Sequence, residues 1–223
     1  MLSSNPWLVL LPAHAVRAGA PPVPARLQGE DLVVWRTAAG ALQVWRDRCP
    51  HRGVRLSLGR VQGDRLACAY HGWEFDAGSG RCVAIPALAD LTRVPGDVHA
   101  GVRDACESAG MVWVRTGTDA PDTRAPDAGP PADGVAHFLR TLVLRMPRAG
   151  LHAHLHAQGF ATPAPCVWQG RLAAQPVRLF TQDLQPDLAG VHAWLDGPAP
   201  PAALVQTLAA LHHLRSDAES GSS

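Results

Sequence analysis

Cys49-Pro50-His51-Arg52-Gly53 and, after sixteen residues that follow His51, Cys68-Ala69-Tyr70-His71-Gly72-Trp73 carry the reading of this chain. Each stretch offers one thiol and one imidazole within four residues, and each lies against a short apolar run. Ala41–Arg46 (ALQVWR) leads into the first, and Arg65–Tyr70 (RLACAY) contains the start of the second. Both pairs are therefore expected on loops at strand ends. Working outward, Asp31–Arg36 (DLVVWR) joins Ala41–Arg46 through Thr37-Ala38-Ala39-Gly40, and Gln62-Gly63-Asp64 turns into the second run. Trp73–Asp76 and Arg81–Ile85 flank Ala77-Gly78-Ser79-Gly80, while Val98–Cys106 and Met111–Arg115 flank Glu107-Ser108-Ala109-Gly110. Trp7–Leu11 is expected as the first strand. Short strands spaced by glycine-rich turns predict a mainly β domain over residues 1–117, a small barrel or sandwich.

Two loops that each present Cys and His can grip a diiron–disulfide cluster asymmetrically, with Cys49 and Cys68 on one iron and His51 and His71 on the other, the Rieske ligation. Two ferric ions, two sulfides and two thiolates sum to zero, so two neutral imidazoles leave the cluster two units less negative than four thiolates would. The electron is accepted more readily, at about −150 to +300 mV. Around the ligands, Gly53 and Gly72 are expected to let backbone N–H groups approach the sulfides without a Cβ in the way. Pro50 stiffens the first loop, Tyr70 is placed to send its hydroxyl toward a cluster sulfur, and Trp73 packs beneath, with Arg52 beside the site. Structural zinc takes the same ligand types, but finger spacing pairs Cys with Cys and His with His, whereas each loop here mixes them. Cys82, Cys106 and Cys166 are expected to pack as small apolar side chains.

Beyond the ligands, Leu56-Ser57-Leu58-Gly59, Val61, Phe75-Asp76, Gly80-Arg81-Cys82 and Ile85-Pro86 stand at matching positions. Together with both loops they make residues 5–117 resemble the N-terminal domain of Rieske non-haem iron oxygenases, most closely the phthalate dioxygenase and vanillate O-demethylase branch. The resemblance implies a ring-hydroxylating or O-demethylating oxidoreductase that takes single electrons from a ferredoxin or flavoprotein reductase. It would pass them to an iron/O2 site acting on a small aromatic or apolar substrate. The resemblance also implies a potential toward the low end and a possible homo-oligomer. An alternative is a stand-alone electron carrier or auxiliary subunit.

Family oxygenases continue into a helix-grip domain holding mononuclear Fe(II) through two His and a carboxylate. The corresponding Asp, two residues, His, four or five residues, His is absent from this sequence, so such an iron is doubtful. Residues 118–136 are expected as a linker, since GTDAPDTRAPDAGPPADGVA (117–136) holds four prolines, three glycines and four aspartates. Residues 137–216 are expected as a reduced, helix-grip-like α+β part with antiparallel strands, and 217–223 as a disordered tail. The strand candidates there are Phe138–Met146, Leu151–Gln158, Val167–Leu172 and Val177–Thr181. The terminal helix is expected over Pro201–Leu214, where Leu204, Leu208 and Leu211 recur at helical spacing. On a strand, His152, His154 and His156 would share one face about 7 Å apart and, with Asp183 or Asp187, offer an alternative metal set. A half-buried strand with a polar outer side is the simpler reading.

Composition bounds the rest. The chain has 223 residues, 47% of them apolar, and a formal net charge of +1. That excludes a disordered chain and a strongly basic nucleic-acid binder, and no apolar run reaches the roughly 18 residues of a membrane span. Five cysteines, an odd number, suit metal ligation in a reducing compartment, and the expectation is cytoplasmic. Trp7–Leu11 with Ala13-His14-Ala15 imitates a secretion signal but lacks a positive leading segment and is broken by Pro12. Arg46, Arg48, Arg52, Arg55, Arg60 and Arg65 against only Asp47 and Asp64 form a basic collar that would steer an acidic reductase. Ion pairing inside the domain, above all at Arg52, is the alternative.

Overall fold

The computed structural model describes residues 7–90, 94–116 and 135–220. The linker expected over 118–136 lies outside them except for Val135 and Ala136, as do the last three residues of the expected tail. The described residues are mostly β, with antiparallel sheets and, among them, two α-helices. It divides into two compact units. One is Leu10–Arg115, and the other takes in Trp7–Val9 and the described residues from Thr116 onward.

In the first unit, β2 (Val23–Leu27), β3 (Glu30–Arg36), β4 (Leu42–Arg46) and β9 (Val102–Arg103) make one antiparallel sheet, in that spatial order. A second holds β5 (Arg60–Gln62), β6 (Arg65–Ala67), β7 (Glu74–Asp76) and β8 (Cys82–Ala84). A three-stranded sheet runs β1 (Trp7–Pro12), β11 (Met111–Arg115), β10 (Ala105–Ser108). β2 and β5 lie outside the sequence expectation, and the single run Val98–Cys106 resolves into two short strands. The core joins Val33, Trp35, Trp45, Leu56, Leu66, Phe75, Cys82 and Ile85 to Cys49 and Cys68. Trp35 and Trp45 meet edge to face at 5.0 Å and 88°, a favoured arrangement of ring quadrupoles. Both site cysteines are thus rooted in the apolar interior while their loops continue outward.

The second unit is a five-stranded antiparallel sheet: β12 (Ala136–Leu144), β16 (Leu188–Asp196), β15 (Gln175–Gln185), β14 (Val167–Leu172), β13 (Ala161–Ala164). Alternation decides its covered face. Leu142, Leu144, Trp168, Val177, Leu179, Val191, Ala193 and Leu195 pack with Leu151 and Leu155 of α1 (Arg148–Ala157) and with Leu211, Leu214 and Ala218 of α2 (Pro201–Ser220). Within this sheet Arg178 donates to Asp196 at 2.8 Å, both buried.

Two expectations are corrected here. Leu151–Gln158 is helix, not strand. Leu151 and Leu155 are buried while Ala153 is exposed, a four-residue period that mimics alternation when only the leucines are counted. Pro147 leads in with extended backbone, no β-branched residue follows before Gln158, and Gly159 and Phe160 donate to the carbonyls of His156 and Leu155. Those paired bonds form a Schellman stop. The terminal helix also extends beyond Leu214 to Ser220, four residues into the expected disordered tail. Ala218 is buried in the core there, and Glu219 accepts from the Arg145 N–H at 2.9 Å, so tertiary contacts hold the last turn.

Candidate metal centre

The two loops share one backbone plan. In the first, Cys49 N–H donates to the Val54 carbonyl at 2.8 Å and Gly53 N–H to the Cys49 carbonyl at 2.8 Å. In the second, Cys68 N–H donates to Trp73 at 2.9 Å and Gly72 N–H to Cys68 at 3.1 Å. Each loop is thus a closed turn of the same size, with the cysteine at its base and the glycine four residues on. Gly53 and Gly72 sit at φ +74 and +68, a left-handed conformation that a Cβ penalises. Their N–H groups close the turns onto the cysteine carbonyls, so the glycines serve the turn itself.

The side chains converge in two pairs. Cys49 and Cys68 are buried, free and in hydrogen-bond contact with each other. Burial pushes the Cys49 thiol up to about 11. The His51 N–H, donated to its sulfur, works against that rise; Cys68 adds to it, and the Arg52 N–H opposes it. On the outer side the Nδ1 atoms of His51 and His71 face each other at 3.2 Å. His51 stacks on Trp73 with ring centroids 4.2 Å apart and planes 6° apart. Tyr70, 57% exposed, lies against His71 at 3.8 Å. Loss of hydration, then His71 and Arg52, hold His51 below the ordinary imidazole range.

This donor set fits a two-iron cluster. A buried thiol that resists ionising when alone, as Cys49 does, ionises readily on a metal, and amide N–H groups already point at its sulfur. The thiols meet as one pair and the imidazoles as another, a two-plus-two arrangement. Among the described residues no three His, Cys, Asp or Glu side chains converge as a single-ion site. The alternative His152/His154/His156 metal set does not assemble on one face. On a helix, residues two apart point in nearly opposite directions. His152 bonds Thr181 Oγ1 at 2.9 Å beside Trp168; the Nε2 of His154 is buried without a partner among the described residues; and His156 is exposed. Asp183 lies 3.8 Å from Arg148 Nε, and Asp187 is exposed.

The basic collar divides. Arg46 pairs with Glu30 at 3.0 Å, Arg55 with Asp31 at 3.1 Å and Arg65 with Glu74 at 3.1 Å. Arg48, Arg52 and Arg60 form no ion pair among the described residues, although Arg52 was the arginine most expected to. The sequence reading also missed a clamp across the first loop. Buried Asp47 accepts from the Ser57 N–H at 2.7 Å and its hydroxyl at 2.6 Å, tying the entry of the loop to its exit. Ser57 belongs to the quoted Leu56–Gly59 match, which is the only signal that marks it. Of the remaining cysteines, Cys82 packs in the core and Cys106 is half-buried. Cys166 instead accepts from Arg148 Nη1 at 3.2 Å, a polar contact absent from the expectation.

Paired thiol-and-imidazole turns on a small antiparallel β unit define an iron–sulfur electron-transfer domain. Residues 6–95 match the Rieske [2Fe–2S] domain family, and this part of the chain is a Rieske [2Fe–2S] domain. The chain is 42% identical over 112 residues to the 3-chlorobenzoate-3,4-dioxygenase oxygenase subunit of Comamonas testosteroni, covering 50% of this chain and 26% of the relative. It is 36% identical over 114 residues to the methylxanthine N1-demethylase NdmA of Pseudomonas putida, covering 51% and 31%. The aligned stretch therefore spans less than a third of either relative's length. The solved structure of Pseudomonas putida CBB5 NdmA superposes with a TM-score of 0.75 at 17% identity, over 96% of this chain and 80% of that one. The likeness to that structure is one of fold. No helix among the described residues is long and apolar enough to cross a membrane.

Proposed function

We propose that the chain is an oxygenase-type Rieske oxidoreductase in which Cys49 and Cys68 hold one iron and His51 and His71 the other. It would take single electrons from a ferredoxin or flavoprotein reductase and deliver them to an iron/O2 site that acts on a small aromatic or apolar substrate. The carrying observation is the two-plus-two convergence of those side chains on two turns of identical backbone plan. Bound there, a [2Fe–2S] cluster supplies one-electron storage at a potential raised by two neutral nitrogen ligands. The chain's own residues set the surroundings. The His51 and Arg52 N–H groups offset thiolate charge at Cys49. Trp73 keeps water from one face of His51, and Tyr70 partly covers His71. His71 is exposed, which suits an imidazole through which electrons enter or leave.

A second reading, a stand-alone carrier or auxiliary subunit, is favoured by the C-terminal unit. There His152 is committed to Thr181, Asp183 stands beside Arg148, and no single-ion donor set converges among the described residues. Iron and sulfide analysis with low-temperature EPR of the dithionite-reduced protein tests both. Two irons and two acid-labile sulfides per chain, with the low g-average of mixed Cys/His ligation, are expected. A third iron would assign the chain its own oxygen-activating metal. Fewer than two irons, or the same signal after His51→Ala and His71→Ala, would remove the ligand assignment.

A further inference from the structure

We propose that an open cleft beside His51 seats a carboxylate side chain of an acidic electron-transfer partner, gripped by Arg48 and Arg52. The proposal rests on the reading of the domain as an electron acceptor and narrows where the donor docks.

The cleft encloses about 320 Å³ and is lined by Arg46, Arg48, His51, Arg52, Gly53 and His99, with no carboxylate among its described lining residues. A neighbouring cleft of about 330 Å³ shares Arg46 and Arg48 but is walled by Glu30, Asp31 and Asp47, so its charges cancel locally. Of the six arginines between residues 46 and 65, Arg46, Arg55 and Arg65 are satisfied by ion pairs. Arg48 and Arg52 are left without a carboxylate among the described residues, and both line the acid-free cleft. Two guanidinium forks with free donors match carboxylate geometry.

Arg52 is exposed and the hollow is shallow. A small free anion would bury little surface there, whereas a side chain delivered by a larger body does not depend on the cleft alone for its affinity. The position gives the contact its use. His51 forms part of the same wall, so a body anchored on Arg48 and Arg52 lies against one of the two imidazoles proposed to bind iron. Charges of this kind act mainly on the rate of encounter and on orientation.

Stopped-flow reduction of the loaded protein by a pre-reduced acidic plant-type [2Fe–2S] ferredoxin, across ionic strength, tests the proposal. Arg48→Glu/Arg52→Glu is expected to slow the second-order rate roughly tenfold or more at low salt and to flatten its salt dependence. Arg48→Gln/Arg52→Gln should fall between that variant and wild type. Arg60→Glu makes the same kind of charge change outside the cleft and should leave most of the rate. Iron, sulfide and EPR are recorded for every variant. A wild-type protein without a two-iron cluster would sink the electron-acceptor reading itself. A loaded double variant as fast and as salt-sensitive as wild type would overturn only the docking site. An Arg60→Glu loss equal to that of the double variant would likewise replace the cleft with a diffuse field.

Discussion

At Gly53 and Gly72 the backbone, not the side chain, does what the site requires. A Cβ on Gly72 would meet Pro86 Cγ at 3.0 Å while holding φ +68, and the left-handed conformation alone costs an L-residue roughly 1–2 kcal/mol. Gly72→Ala should lower the thermal midpoint and reduce the iron retained after gel filtration, with the far-UV circular dichroism unchanged. Asp47 makes a sharper case, because Asp47→Ala removes two hydrogen bonds from a buried carboxylate that spans the first loop. It should cost about 2 kcal/mol in urea titration, and Ser57→Ala should cost less because the Ser57 N–H remains. These residues differ in how readable they were. Cys49, His51, Cys68 and His71 announce themselves by type and spacing. The Asp47–Ser57 clamp links residues ten apart through a loop conformation that no local pattern encodes. The ring of Tyr70 lies along His71, a packing choice made only once both loops are folded.

Among the elements, α1 shows how two periods become confused. Leu151, Ala153 and Leu155 satisfy a strand, while Leu151 and Leu155 alone satisfy a helix, and the exposure of Ala153 decides between them. Leu155→Ala should therefore destabilise the protein by about 3 kcal/mol. Ala153→Glu should change stability by less than about 0.5 kcal/mol, as thermal melts of the two variants will show. A strand would have buried both positions and penalised both changes. Gly159 was the overlooked stop signal. β16 escaped for another reason. Its residues Ala189–Ala193 are all buried, so neither face alternates, and Gly190 and His192 interrupt the apolar run that would otherwise mark an interior strand. In the first unit, β3 and β4 were legible because a four-residue turn separates two strongly apolar runs. The three-residue β5 was too short to carry any period.

For the molecule as a whole, the sequence disclosed the first unit, whose strands lie between clear turns. It disclosed less of the second, where long-range pairing and buried polar groups set the outcome. His192 is one of these: Nδ1 meets Thr141 Oγ1 at 2.8 Å, Nε2 meets Gln182 Oε1 at 3.0 Å, and burial lowers its pKa from 6.5 to about 4. Below pH 6.5 the unfolded chain takes up a proton that the folded one refuses until about pH 4, so this group's contribution to stability falls as pH falls across that window. The stability gap between wild type and His192→Gln should shrink by about 3 kcal/mol between pH 7 and pH 4, measured by urea titration at both. The strand order has a further consequence. Among the described residues β12 finds its ladder against β16, a partner that is translated far later. While the ribosome is still making residues 145–187, the edge of β12 stands uncovered. A chain released before Asp196 would carry that bare edge into the cell, where sticking to a neighbour competes with folding.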